Sequence, residues 1–207
     1  MRVAKEGWPF IAIAWLILAV LLWFRWWIGL AWLPVAVWVV AFFRDPLREG
    51  PRGEELVLAP ADGLVVGVIP TDEPAFLRGP ASRISIFMSV FDVHVNRYPA
   101  AGRVALTSYL PGEFGHAMAE KASERNEQST VGLETPRGRI LIRQIAGAIA
   151  RRIVTDHGEG ALVSQCQRMG LIRFGSRVDV FLPPGAQILV RAGERTRTAR
   201  TVIARWT

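Results

Sequence analysis

Residues 8 to 43 are almost wholly apolar, interrupted only by Arg25, Gly29 and two prolines. A run this long with a single charge belongs in lipid or at its surface, because a soluble core rarely hides so much contiguous apolar chain. Arg25 divides it into segments 9–24 and 26–43, each a little short of the roughly 20 residues that a perpendicular crossing needs. Two forms fit. One is a helical hairpin turning at Arg25-Trp26-Trp27 with both ends cytoplasmic; the other is a re-entrant or tilted anchor that enters one leaflet. Charge favours both ends inside, since Arg2 and Lys5 precede the run and Arg44, Arg48 and Arg52 follow it. Five of the eight tryptophans (Trp8, Trp23, Trp26, Trp27, Trp32) lie near segment ends or the turn, where interfacial rings are expected. A cleaved signal peptide fits poorly, because the run is too long and no small-x-small site follows it. The expectation is a membrane anchor over residues 1–43, at the cell (inner) membrane, with the rest of the chain on the cytoplasmic side.

Composition changes abruptly after Phe43. Residues 44–53 read as a polar linker rich in proline and glycine, and 54–207 is the right size for one globular domain. The formal net charge of +7, carried mostly by arginine, suits attraction to anionic headgroups. Nucleic acid is not expected as a partner, since no helix-turn-helix, zinc or stacked-aromatic motif accompanies the charge. A single cysteine, Cys166, excludes an intrachain disulfide and reads as a small buried core residue. The three histidines (His94, His116, His157) are far apart and show no ligand spacing, so no metal site is predicted.

The domain reads as mainly β (α+β). Short strands are predicted at 56–58, 63–69, 83–88, 93–98, 102–106, 126–133 and 138–145, then at 161–165, 171–174, 178–182, 187–191 and 201–204, with glycine and proline between them. Residues 117–123 suit a short helix, and 146–153 a helix or a continued strand. Tight turns between short strands give the C-terminal part a barrel-sandwich-like character, which says little about chemistry.

The only Gly-Ser dipeptide is Gly175-Ser176. A serine behind a glycine can attack the preceding carbonyl, because no Cβ blocks the approach. Attack gives an ester, elimination breaks the chain, and loss of ammonia leaves a pyruvoyl group, a built-in electron sink for amine substrates. Alone, such a pair is most often a turn.

Three stretches give it company: Ala59-Pro60-Ala61-Asp62-Gly63; Phe87-Met88-Ser89-Val90-Phe91-Asp92-Val93-His94-Val95-Asn96-Arg97-Tyr98-Pro99; and Gly170-Leu171-Ile172-Arg173-Phe174-Gly175-Ser176-Arg177-Val178-Asp179-Val180. With Tyr109-Leu110-Pro111-Gly112 and Asn126-Glu127 between them, they closely resemble the short, membrane-associated phosphatidylserine decarboxylase proenzymes, in order and over most of the chain. The resemblance implies self-cleavage between Gly175 and Ser176 into a β chain, 1–175, and an α chain, 176–207, that begins with the pyruvoyl group derived from Ser176. It implies that His94 is the base for a hydroxyl that is a poor nucleophile by itself, and that Asp62 orients and stabilises the imidazolium. The ketone would condense with the amine of a membrane phospholipid, carbon dioxide would leave, and an acid, His94 again, would protonate the carbanion to give phosphatidylethanolamine. Arg97, Arg173 or Arg177 would hold the lipid phosphate or carboxylate. No metal is implied, and a homo-oligomer is left open.

Longer members of the family carry two histidines three apart in this region; here Arg97 occupies the second position, and His116 is the next candidate base. Two alternatives stay open: the same chemistry on another serine phospholipid such as archaetidylserine, or a non-catalytic membrane-tethered carrier or scaffold. A carrier needs its lysine at a hairpin tip, and Lys5 and Lys121, the only lysines, fall outside any such hairpin.

Overall fold

A computed structural model describes residues 2–112, 126–147, 152–173 and 176–207. The chain forms two compact units, Met1–Leu47 and Arg48–Thr207.

The first unit is a helical hairpin. Strand β1 (Arg2–Val3) and a single 3₁₀ turn lead into α1 (Trp8–Phe24) and α2 (Trp26–Phe42), and β2 (Arg44–Asp45) closes the unit. The helices break at Arg25, which leaves helical geometry at φ −151°, ψ 82°. β1 and β2 pair antiparallel, so both ends of the hairpin lie together. Ala14 and Ala36 are small enough to let the helices approach and form, with Leu18, their buried seam, and Trp32 Nε1 donates across it to the Ala14 carbonyl at 3.1 Å. Gly29 packs on Leu22 so closely that a Cβ would come within 2.6 Å of its side chain. The segment Lys5–Phe24, with mean hydropathy 2.2, is long and apolar enough to cross a membrane.

The second unit is built from β3 (Leu56–Leu58), β4 (Gly63–Glu73), β5 (Gly79–Met88), β6 (Val95–Arg97), β7 (Gly102–Leu110), β8 (Gln128–Thr135) and β9 (Gly138–Ala146). It continues with β10 (Ile153–Thr155), β11 (Leu162–Val163), β12 (Arg168–Ile172), β13 (Ser176–Leu182), β14 (Ala186–Ile188), β15 (Arg195–Thr196) and β16 (Val202–Trp206). The largest sheet runs β11-β7-β8-β9-β13-β5-β4-β15, antiparallel throughout and curled into a half-barrel. Two smaller sheets, β10-β12-β6 and β14-β16-β3, complete the unit. The inner face is filled by alternating residues such as Val65, Ile84, Ile86, Ile142, Val178 and Val180, all fully buried. Each contributes roughly 1.5–3 kcal/mol by leaving water. β13 is buried along its whole length and on both faces, wedged between β5 and β9.

The mainly β architecture with its helical hairpin is thus as expected, with several strands longer than the local pattern suggested. β4 continues through Pro70 to Glu73 and β7 runs on to Leu110, because neighbouring strands supply partners that the sequence does not announce. Conversely, the predicted strand at 93–98 shrinks to Val95–Arg97. Asp92 accepts from the Ser89 backbone N–H and hydroxyl at 2.9 and 2.8 Å, which holds 89–92 in a turn and leaves His94 just ahead of the strand. β15 has no counterpart in the expected strands, and β10 only Ile153. The proposed helix at 117–123 lies outside the described residues, as do 148–151 of the interval 146–153, whose two ends are the last residue of β9 and the first of β10.

Candidate active site

Register places the chemically interesting residues at one end of the large sheet. Leu64, Phe87, Arg177, Ile145, Gln128 and Leu110 form a continuous row across six strands. One step beyond that row lie Met88, Ser176 and Ala146 as rung partners, and Gly63 with Asp62 before it.

Ser176 opens β13, fully buried between Met88 and Ala146. Its side chain shares parity with Val178 and Val180 and so projects into the half-barrel. Among the described residues its Oγ has no hydrogen-bond partner. Buried hydroxyls are normally satisfied, so an unmatched one in a tightly packed strand calls for an explanation.

His94 is fully buried too. Its Nδ1 lies 3.0 Å from the Asp92 carbonyl oxygen. A carbonyl can only accept, so Nδ1 carries a proton, and in the neutral form of the ring the lone pair is on Nε2, the nitrogen fit to act as base. The Ile172 N–H points to the His94 carbonyl at 3.4 Å, setting the histidine beside the end of β12, four residues before Ser176.

Asp62 is held elsewhere. Arg48 donates to Oδ2 at 2.5 Å and the Thr198 backbone N–H to Oδ1 at 2.8 Å, so both oxygens are engaged without His94. Gly63 follows because a Cβ there would overlap the Phe87 carbonyl oxygen. The turn that carries Asp62 can therefore lie flat against β5 only with glycine in that place. The structure brings Asp62 and Ser176 to one end of the large sheet and His94 to the end of β12; it does not join Asp62 to His94 by a hydrogen bond. The orienting acceptor on the imidazole is the Asp92 carbonyl, invisible to a reading of side chains.

The three arginines separate. Arg97, half-buried on β6, donates to the Cys166 carbonyl at 3.2 Å. Arg173 is half-buried just after β12, its N–H on the Arg152 carbonyl at 3.3 Å. Arg177 is 2% exposed and forks onto Asp179 through Nε and a terminal nitrogen at 2.6 and 2.8 Å. Gly175 and His116 lie outside the described residues. Cys166 is buried, and burial raises its thiol pKa. Among the described residues, no group of three or more His, Cys, Asp or Glu could hold a metal ion.

Sequence reasoning missed the second layer. Asn96 and Gln144 are fully buried polar side chains joined by a 2.8 Å hydrogen bond. Thr155 donates to Gln144 Oε1 at 3.3 Å, and Ser129 Oγ lies 2.8 Å from Thr155 Oγ1. Ser129 and Thr155 also line an open cavity of about 330 Å³ with Tyr109, Asp156 and His157. The signal available in the sequence was Asn96 standing two residues after His94, on the same face of an extended segment.

The phosphatidylserine decarboxylase family profile matches residues 35–204. A protein of Symbiobacterium thermophilum named phosphatidylserine decarboxylase proenzyme is 47% identical over 205 residues, covering 98% of this chain and 95% of its own. Proteins of the same name from Azorhizobium caulinodans and Xanthobacter autotrophicus are each 47% identical, covering 97% and 96% of this chain and 87% of theirs. With the profile spanning both Asp62 and Ser176 and the relatives matched almost end to end, the chain belongs to the phosphatidylserine decarboxylase family.

Proposed function

We propose that this protein decarboxylates phosphatidylserine to phosphatidylethanolamine after cutting itself between Gly175 and Ser176. The observation that carries the reading is Ser176 itself: a fully buried hydroxyl, unmatched among the described residues, at the first position of the innermost strand of a family whose relatives are named proenzymes.

The residues fit a group made from Ser176. His94, fixed by the Asp92 carbonyl, accepts the Oγ proton on Nε2 as Oγ attacks the Gly175 carbonyl carbon. It returns that proton to the departing nitrogen. Asp62 contributes through the turn that it fixes with Arg48 and Thr198; a direct role at His94 requires that ion pair to open. The pyruvoyl group, once formed, supplies an electron sink for the pair released with carbon dioxide. His94 then stands as the acid that delivers a proton to the substrate carbon. Among the arginines, Arg97 and Arg173 are the candidates for the lipid phosphate or carboxylate, since Arg177 is engaged by Asp179.

Cleavage need not release the C-terminal piece. β13 is hydrogen-bonded to β5 on one side and β9 on the other, and β15 and β16 pair with β4 and β3 of the N-terminal piece. The apolar hairpin holds the protein at the inner membrane on the cytoplasmic side, where the substrate resides.

Intact-protein mass spectrometry of the detergent-solubilised protein tests the scheme. Two fragments meeting at 175/176, the smaller one lighter by one ammonia than a serine-started peptide, are expected, with carbon dioxide released from phosphatidylserine vesicles. A single chain that nonetheless decarboxylates, or a Ser176→Ala variant that still cleaves, refutes it. Vesicles of archaetidylserine serve as the second arm for the lipid.

A further inference from the structure

Asn96 is oriented by what its neighbours can and cannot give. Met88 Sδ lies 3.5 Å from the Asn96 amide nitrogen, and a thioether has no hydrogen to donate, so the NH₂ group faces it. Oδ1 therefore faces Gln144 and takes its Nε2–H at 2.8 Å. Gln144 in turn presents Oε1 to the Thr155 hydroxyl, whose oxygen is left to accept from Ser129. Every donor in this chain points from the cavity side toward Met88.

The location of the amide follows from register. Met88 is the rung partner of Ser176 on β5, and Gln144 is the rung partner of Val178 on β9. These strands flank β13 on opposite sides, so a carboxamide touching both residues lies across β13, on the face from which Ser176 projects. Its two N–H groups find, among the described residues, only a thioether sulfur, a weak acceptor. Ser176 Oγ, on the rung that Met88 shares, has no partner among them either. A buried amide poorly matched at rest, on the same face as an unmatched hydroxyl, is what a site built for a later charge requires.

We propose that Asn96 donates a hydrogen bond to the oxygen that becomes negative when Ser176 cuts the chain, and that Gln144 is the residue positioning it. This rests on cleavage at 175–176. In that step Oγ bonds to the Gly175 carbonyl carbon, His94 takes the Oγ proton, and the carbonyl π pair moves onto oxygen, where Asn96 meets it. The pair then returns, the carbon–nitrogen bond breaks, and His94 protonates the nitrogen, leaving an ester and an amine with no oxidant or reductant consumed.

The test is the half-time of precursor disappearance during cell-free synthesis into lipid nanodiscs, for wild type, Asn96→Leu, Gln144→Met and the double variant. Thermal melting of each substitution in a Ser176→Ala background reports folding separately. Asn96→Leu should slow cleavage by about 10²–10³-fold, the usual effect of removing one such donor, while melting at or above its Ser176→Ala reference. Gln144→Met should slow it by less, and the double variant no more than Asn96→Leu alone, because the glutamine acts only through the asparagine. Cleavage of Asn96→Leu at the wild-type rate overturns the proposal. If Asn96→Leu melts low, an unchanged rate in a well-folded Gln144→Met overturns it instead. Wild type that does not cut at 175–176 refutes the underlying reading, whereas wild type and Asn96→Leu cutting alike refute this inference alone.

Discussion

Breaking the Arg177–Asp179 pair separates a structural arginine from a lipid-binding one. Both side chains are enclosed, at 2% and 0% exposure, on the face of β13 away from Ser176. Asp179 is also the rung partner of Arg143, whose guanidinium lies 5.0 Å from the Phe181 ring centre. Burial lowers the Arg143 pKa, and Asp179 is the first charge that raises it again. Asp179 therefore balances the enclosed Arg177 guanidinium and, with Glu73 behind it, the half-buried Arg143 as well. Removing one partner of a buried pair costs about 3–5 kcal/mol. Arg177→Met should fall near the lower end, about 3 kcal/mol, because Arg143 still faces Asp179. Asp179→Leu should reach about 5 kcal/mol, since Arg177 is then left enclosed and unpaired beside the like charge of Arg143. The combined Arg177→Met/Asp179→Leu variant should recover most of the loss, because a pair replaced by apolar residues of similar volume is often neutral. Urea unfolding in detergent gives the energies, and a denaturing gel gives self-cleavage, which the double variant should retain. An Arg177→Met protein as stable as wild type but with a raised KM for phosphatidylserine would refute the reasoning and make Arg177 a substrate ligand. The reverse order of the single variants would refute the charge balance.

Tyr98 is 1% exposed, its hydroxyl has no hydrogen-bond partner among the described residues, and burial, with the Asp156 charge behind it, pushes its pKa up to about 12. The folded protein thus holds the phenolic proton more tightly than the unfolded chain, whose tyrosine titrates near 10. Stability should be level below pH 10 and fall between about pH 10 and 12 by roughly 2–3 kcal/mol. Tyr98→Phe should remove that slope and be about 1 kcal/mol more stable at neutral pH, as read by urea unfolding across pH; an unchanged slope counts against the assignment. Gly170→Ala places a Cβ on the Val154 carbonyl oxygen, backbone that cannot turn aside, and should cost about 1–3 kcal/mol in the same assay. By pushing β10 and Thr155 away it should also slow self-cleavage, whereas an unperturbed variant would mean that β10 yields at no cost.

What the sequence made legible follows the range of the forces involved. The hairpin was readable because its signal is local: a long apolar run with one charge, Arg25, at the break. Strands with alternating apolar residues, such as β5 and β9, were readable for the same reason. β15 was not, because Arg195 and Thr196 carry no apolar pattern and form a strand only where the edge of β4 offers partners. The chemistry of Ser176 and His94 is written in their side chains, but the engagement of Asp62 by Arg48 and Thr198 joins stretches up to 136 residues apart. No spacing rule reaches that far. Arg177 is a further case: beside Ser176 it reads as a candidate substrate ligand, whereas the structure pairs it with Asp179. Only the alternation of β13, with Asp179 two residues on, shows it turned to the other face.

The position of the proposed cut has its own logic. A chain opened in an exposed loop would leave a new terminus in water, free to fray and useless as a reactive group. Here it falls immediately before the first residue of a strand buried on both faces, so the new terminus is held by the rungs to Met88 and Ala146. The burial that stabilises the fold also keeps bulk water from the group made there, and a polar wall is then needed to manage charge in an otherwise apolar core. Asn96 and Gln144 supply that wall from two further strands. Conserving the serine while losing the wall should therefore give a precursor that folds and waits, and the fold's stability and the site's competence become separable properties of the same strand.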